Sequence, residues 1–343
     1  MPREIRIGGA AGYWGDSPEA ARQLVLSGDI DYLIGDYLAE VTMSILVRMK
    51  QRDPQSGYAR DFVTLVMAPL LKEIHARKIR VVVNAGGINV AACASALATV
   101  ARQADVPIGI ASVTGDDVMP LIDQLRAEEI REMFSGAALP ETVISANAYL
   151  GAFPIAAALD RGADVVITGR CADSALTLGP LVHEFRWGAA ELDRLAAGSL
   201  AGHILECGAQ ATGGNFTDWS DVADGWDNVG YPIAVCRADG TFDITKPPGT
   251  GGRVSRLSVG EQILYETGDP RAYVLPDVVC DFSETTLEEM SGEVVRVSGV
   301  RGRPPTDSYK VSATYCDGWR ATALTGITGF DAPAKAQAYG AAL

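Results

Sequence analysis

The chain predicts an α/β protein. A Rossmann-like, mostly parallel sheet domain is expected over residues 1–210, with a smaller α+β domain over 211–343. Three observations predict this. First, five short β-branched runs each end on a small-residue or polar turn: Gly8-Gly9-Ala10-Ala11-Gly12, Asn84-Ala85-Gly86-Gly87, Thr114-Gly115-Asp116-Asp117, Ala146-Asn147-Ala148-Tyr149 and Thr168-Gly169-Arg170. Second, helical patterns separate the runs, which is how βαβ units and a parallel sheet read. Third, the texture changes after about Gln210, where strand runs are set apart from helix runs. In open α/β sheets the ligand sits outside the carboxyl ends of the strands, so these turns are also where chemistry is expected.

The elements follow in order. Residues 5–10 read as the first strand; Ser17 and Pro18 suit the start of a helix that ends near Gly28. A short strand at 31–35 precedes a helix at 39–50. Phe62, Leu65, Val66, Leu70 and Ile74 repeat at helical spacing. Strands are expected at 80–84, 108–113, 143–146 and 165–168, with helices at 90–104, 118–129, 152–160 and 174–185. Beyond residue 210, Asp239-Gly240 predicts a hairpin over 233–244. A helix is expected at 258–266, and strands at 294–300 and 309–324, the latter bent at Asp317-Gly318. Residues 331–343 read as the start of a helix.

Composition excludes some functions. A net charge of −14 repels phosphate backbones and anionic lipid heads, so no nucleic acid or membrane partner is expected. A small-molecule substrate and a homo-oligomeric state are expected instead. The six cysteines are widely spaced, with no C-x-x-C pair, and read as buried or half-buried free thiols. The first residues lack the apolar run of a signal peptide, and no uncharged stretch is long enough to span a bilayer. A cytoplasmic location is expected.

The candidate chemistry lies in the turns. Gly9 and Gly12, with Gly86, Gly87 and Gly169, allow a ligand to approach the backbone, but the first turn is not G-x-G-x-x-G and a tight structural turn fits as well. Asp36, Glu40, Asp116 and Asp117 at one sheet edge can supply general acid–base chemistry, bind Mg²⁺, or simply cap helices. Asn84 and Asn147 can orient a carbonyl or bond the turn backbone. Arg170 either holds an anion or pairs with Asp173. His203, Glu206, Cys207 and Gln210 share one helical stripe; His203 is a catalytic candidate and can activate the Cys207 thiol, and a packed helix with a satisfied histidine is the alternative. Two such ligands do not make a metal site. Lys246, with Thr250 and Gly251 in a Pro-Pro-Gly-Thr-Gly-Gly turn, reads as an anion clamp or a plain surface turn.

Together these segments resemble one family. Residues 7–16, Asp31-Tyr32-Leu33 with 36–43, Asn84-Ala85-Gly86-Gly87, Gly115-Asp116-Asp117, 146–151, Ile167-Thr168-Gly169-Arg170, Gly202-His203 with Leu205-Glu206-Cys207, Thr212-Gly213-Gly214, and Lys246 with Gly249-Thr250-Gly251-Gly252 are similar to the acyclic terpene utilisation protein A family. The resemblance implies a role in the degradation of branched or unusual acids, alongside acyl-CoA carboxylases, dehydrogenases and hydratases. The leading expectation is a lyase or hydratase acting on an acyl-CoA or carboxylate, with Asp36, Glu40, Asp116 or Asp117 supplying acid–base chemistry, Asn84 and Asn147 orienting a carbonyl, and Arg170 and Lys246 holding the anion. Many relatives carry a further small domain after the region matching Gly326, so a separately encoded small subunit is an expected partner. A Mg²⁺- or nucleotide-dependent enzyme and a non-catalytic metabolite-binding subunit are the alternatives.

Overall fold

Val81, Val82 and Val83 show how the sheet is built. All three are buried, but they alternate between two cores, because successive strand side chains point to opposite faces. A continuous β-branched run of this kind belongs to a strand covered on both sides. The computed structural model describes residues 3–290, 292–319 and 321–342.

The first part runs β1 (Glu4–Gly9), α1 (Glu19–Ser27), β2 (Tyr32–Gly35), α2 (Glu40–Arg52), a π-helical stretch at Phe62–Met67, α3 (Ala68–Ala76), β3 (Arg80–Val83) and α4 (Val90–Ala104). It continues through β4 (Ile110–Val113), α5 (Ile122–Ala127), β5 (Val143–Ala148), α6 (Phe153–Asp160), β6 (Val165–Thr168), α7 (Ala175–Phe185) and α8 (Leu192–Leu205). The second part holds β7 (Ile233–Arg237), β8 (Phe242–Thr245), α9 (Arg256–Leu264), β9 (Tyr273–Val274), β10 (Val279–Asp281) and β11 (Thr286–Glu289). It ends with β12 (Val295–Ser298), β13 (Arg301–Arg303), β14 (Val311–Tyr315) and α10 (Ala332–Ala342).

Among the described residues, one mixed sheet has the order β11-β12-β8-β7-β1-β2-β3-β6-β4. β1, β2, β3, β6 and β4 are parallel. The β7–β8 hairpin, turned at Gly240, docks antiparallel on the free edge of β1, and β12 and β11 extend it. So the change of texture near residue 210 marks the passage from parallel to antiparallel strands within one sheet. α1, α3 and α4 cover one face, and α6, α7 and α8 the other. β3 leaves toward α4 on the first face, whereas its neighbour β6 leaves toward α7 on the second. Adjacent strands that diverge in this way open a crevice at their carboxyl ends.

Two expectations need correction. β5 does not join the parallel sheet; it pairs antiparallel with β14 as a separate ribbon. Its Ser145 and Asn147 interrupt the apolar run that a central parallel strand requires. The strand expected over 309–324 is confined to Val311–Tyr315 among the described residues.

The first turn is shaped by close packing. A Cβ on Gly9 would stand 2.5 Å from the Leu205 carbonyl oxygen, and one on Gly12 would stand 2.9 Å from the Cys207 Cα. The turn therefore accepts the end of α8 against its backbone. Gly9→Ala should cost about 1–3 kcal/mol through overpacking. Urea unfolding would measure it, and an unchanged midpoint would contradict the close approach.

Candidate active site

A cleft of about 590 Å³ opens at the carboxyl ends of β1, β2 and β6. Gly12, Asp36, Glu40, Arg170 and Asp173 come from the turns after those strands. Glu206 and Cys207 enter from the end of α8, Tyr265 and Glu266 from the end of α9, Tyr273 and Val274 from β9, and Lys310 from the approach to β14. A depression of about 540 Å³ between β4 and α6 has Arg161 as its only charged side chain and offers no acid–base pair.

Asp36 is held from behind. Its Oδ1 accepts from the Leu38 N–H at 3.0 Å and from Asn84 Nδ2 at 2.6 Å, while Asn84 Oδ1 accepts from the Tyr37 N–H at 2.7 Å. Asn84 therefore orients Asp36 and does not line the cleft. Asp173, with one third of its side chain exposed, lines the same cleft as Asp36 and feels its charge. Burial pushes Asp36 up to about 6, although Arg170 pulls the other way. Burial and the neighbouring Asp36 carboxyl hold Asp173 well above the usual carboxylate range. Two carboxyls so placed cannot both ionise cheaply, so they keep one proton between them.

Arg170 is the buried counter-charge. It is 2% exposed, and its Nη1 donates to the Leu38 carbonyl at 2.6 Å and lies 3.4 Å from Asp173. The guanidinium carbon sits 4.1 Å from the centre of the Tyr149 ring. The Tyr149 hydroxyl donates to Glu40, and Lys310 Nζ lies 3.3 Å from the same carboxylate and 4.5 Å from the same ring. Burial would raise Glu40, but the Tyr149 hydrogen bond, Arg170 and Lys310 outweigh it and hold it at about 2.

His203 and Glu206 form a second unit. His203 Nδ1 lies 3.0 Å from Glu206 Oε1, and both side chains are buried. The imidazole packs against Tyr273 and Phe282, at ring distances of 5.3 and 6.4 Å. Burial pushes Glu206 up to about 7, despite the pull of His203. Burial opposes charge on His203 as well, yet Glu206 raises it above its ordinary value. Cys207 is not activated: burial and the Glu206 charge push its thiol up to about 12. Arg170 Nε, Asp173 Oδ1 and Glu206 Oε2 are buried without hydrogen-bond partners among the described residues.

The other expected site residues lie elsewhere. Asp116 ties the Gly169-Arg170 turn to β5: its Oδ2 accepts from the Arg170 N–H at 2.9 Å and from Asn147 Nδ2 at 2.8 Å. Asp117 accepts from the Met119 N–H at 3.0 Å, a local turn contact two residues on. Gly86 packs on Thr168, Gly87 on Leu46 and Gly169 on Asp116. Gly9, Gly86, Gly87 and Gly169 are absent from the lining of the cleft. Lys246 donates to the Thr250 carbonyl at 2.7 Å and pairs with Glu293 at 2.6 Å, while the Gly251 N–H donates to the Asn228 carbonyl. The Lys246 charge and the Gly251 N–H are thus committed to partners within the protein, and Lys246, Thr250 and Gly251 are not brought to the cleft. Glu206, Tyr149 and Lys310 were not singled out as site residues. The i, i+3 spacing of His203 and Glu206 was a usable signal for the first, and Lys310 had none.

The comparisons with known proteins accord with this whole-chain frame. A family model described as "Acyclic terpene utilisation family protein AtuA" matches residues 5–343. The chain belongs to this family. No curated protein and no solved structure matches the chain. Among the described residues no group of three or more His, Cys, Asp or Glu is arranged to hold a metal ion, and no helix is long and apolar enough to cross a membrane.

The raised carboxyls set a pH dependence. Between about pH 4 and 6 the folded Asp36 keeps a proton that the unfolded chain has lost, so stability falls as pH rises through that window. Asp36→Asn removes the proton-linked loss, and relative to the parent it should gain of order 1–3 kcal/mol between pH 4 and 7. Thermal melts of both proteins across that range would measure this; parallel curves would count against a buried, protonated Asp36.

Proposed function

We propose that the cleft is the acid–base site of a lyase or hydratase that adds water to an unsaturated branched acyl thioester or removes it from the hydroxyacyl form. The observation that carries this reading is the placing of Asp36 and Asp173 beside buried Arg170, with a third carboxyl, Glu206, lining the same cleft. Addition of water needs both the pair and Glu206. Glu206 as carboxylate takes a proton from water as the oxygen bonds to the β-carbon, and the Asp36–Asp173 pair gives its proton to the α-carbon. Glu206 ends protonated and the pair ionised, so the reverse reaction expels water from the hydroxy form with the same groups.

The charge balance selects the form of the substrate. Five carboxyl side chains line the cleft, against Arg170 and Lys310 as cations, and Arg170 is already spent on Leu38, Asp173 and Tyr149. A free carboxylate would be repelled, whereas a thioester presents its reacting end uncharged. Leu38, Val274, Leu275 and Pro276 supply an apolar wall for a branched chain, and Lys310, paired with Glu40 but half-exposed, is the more accessible of the two cations for an anionic carrier such as CoA. The family's link to acyclic terpene utilisation fits such a substrate.

A second reading has its own observation. Trp319, Leu324 and Phe330 are fully or almost fully exposed, and α10 buries no side chain. Apolar groups in that state suit coverage by a partner, which would make the chain one subunit of a larger enzyme.

Incubation with branched 2-enoyl-CoA thioesters in H₂¹⁸O should yield a hydroxyacyl product carrying the label. Asp173→Asn and Glu206→Gln should each lower kcat/KM by about 10²–10⁴-fold, and exposed Asp117→Asn should leave it within about 2-fold. Absence of label with every thioester, or full activity in the two cleft variants, would overturn the proposal.

A further inference from the structure

His203 is the residue of this region that the proposed reaction leaves without a part. Its side chain is fully buried and does not line the cleft. It meets the site through Nδ1, at 3.0 Å from Glu206 Oε1 and 3.5 Å from the Tyr273 hydroxyl, while its Nε2 is buried without a hydrogen-bond partner among the described residues. A buried imidazole–carboxylate pair is costly, and apolar side chains of similar volume would fill the space with less penalty. The surroundings nonetheless fix the ring. Tyr273 and Phe282 pack on it, and Gln262 of α9 donates to the His203 carbonyl at 2.9 Å. It also stands in the last turn of α8, where the helix dipole favours a cation.

We infer that His203 is a positioning residue for the acid–base reaction: through Nδ1 it fixes the orientation of the Glu206 carboxylate, and as imidazolium it keeps that carboxylate in the ionised form that accepts a proton. The inference rests on the role proposed for Glu206. Other groups face the pair. Glu206 and Cys207 come from the end of α8, Glu266 from the turn after α9, Tyr273 from β9, and Asp173 with Asp36 from across the cleft. The carboxyls among them, Asp173, Asp36 and Glu266, all repel charge on Glu206. His203 is the cation that opposes them, and burial reinforces their effect.

The test reads protonation directly, without substrate. ¹³C NMR of carboxyl-labelled protein, with Glu206 assigned by its loss in Glu206→Gln, gives its titration midpoint in the parent and in His203→Gln. The midpoint should rise by one pH unit or more in His203→Gln. Where turnover is measurable, the acidic limb of kcat/KM should move up by the same interval while the alkaline plateau recovers. A merely structural role would lower the rate at every pH and leave the limb in place.

A reciprocal measurement avoids dependence on that variant's folding. The chain has three histidines, so ¹⁵N NMR can follow the His203 ring. In Glu206→Gln its midpoint should fall by at least one pH unit. An unmoved Glu206 midpoint in folded His203→Gln, or an unmoved His203 midpoint in Glu206→Gln, overturns the inference. Shifted midpoints with no hydration activity would sink the proposed reaction alone; hydration with unmoved midpoints would sink the role of His203 alone.

Discussion

Everything around the cleft depends on one buried guanidinium. Arg170 leaves β6 into a turn held by Asp116 and is roofed by the Tyr149 ring. It is too deep to be hydrated and must stay charged, so carboxyl groups are drawn to it: Asp173 from its own turn, and Asp36 and Glu40 from the turn after β2. One cation cannot neutralise all of them. The excess is met by protonation, with Asp36 and Asp173 sharing a proton while Glu40, aided by Lys310 and Tyr149, stays ionised. Groups of one chemical type are thereby split into acid and anion by environment, which is the arrangement acid–base catalysis needs.

The same economy explains why several plausible site residues turned out to be scaffolding. Asp116, Asn147 and Asn84 are polar, buried and near the sheet edge, but each spends its hydrogen bonds holding a neighbour in place. Lys246 is buried as well, and its charge is committed to Glu293. Cys207 sits next to the dyad, yet burial keeps it protonated.

Much of the frame was legible in the sequence for local reasons. Residues 165–168 and 90–104 form the expected strand and helix, because an unbroken β-branched run and a long small-residue helical pattern each admit one local structure. Asp36 and Glu40, and separately Arg170 with Asp173, were legible because all follow strand ends, though the sequence grouped the first two with Asp116 and Asp117. The opposite wall was not. Lys310 reaches the cleft only through the long-range pairing of β14 against β5, and Tyr273 lies on the two-residue strand β9, paired locally with β10 but too short to show a pattern. β5 was misplaced because strand propensity does not say which sheet a strand joins; its serine and asparagine did.

The continuity of the large sheet also bears on how the chain folds. β1 is paired on one side by β2, close in sequence, and on the other by β7, with Glu4 meeting Arg237 across 233 residues. A growing chain would carry that bare β1 edge until the hairpin is made. Contacts of such sequence separation slow folding, and an open strand edge invites pairing with other chains. Glu4 and Arg6 place charge along that strand, and Arg6 is bound on the β2 side, its N–H to Asp31 and its Nε to the Asp29 carbonyl. Charged side chains on β1 are the kind of feature that discourages edge-to-edge pairing with other chains.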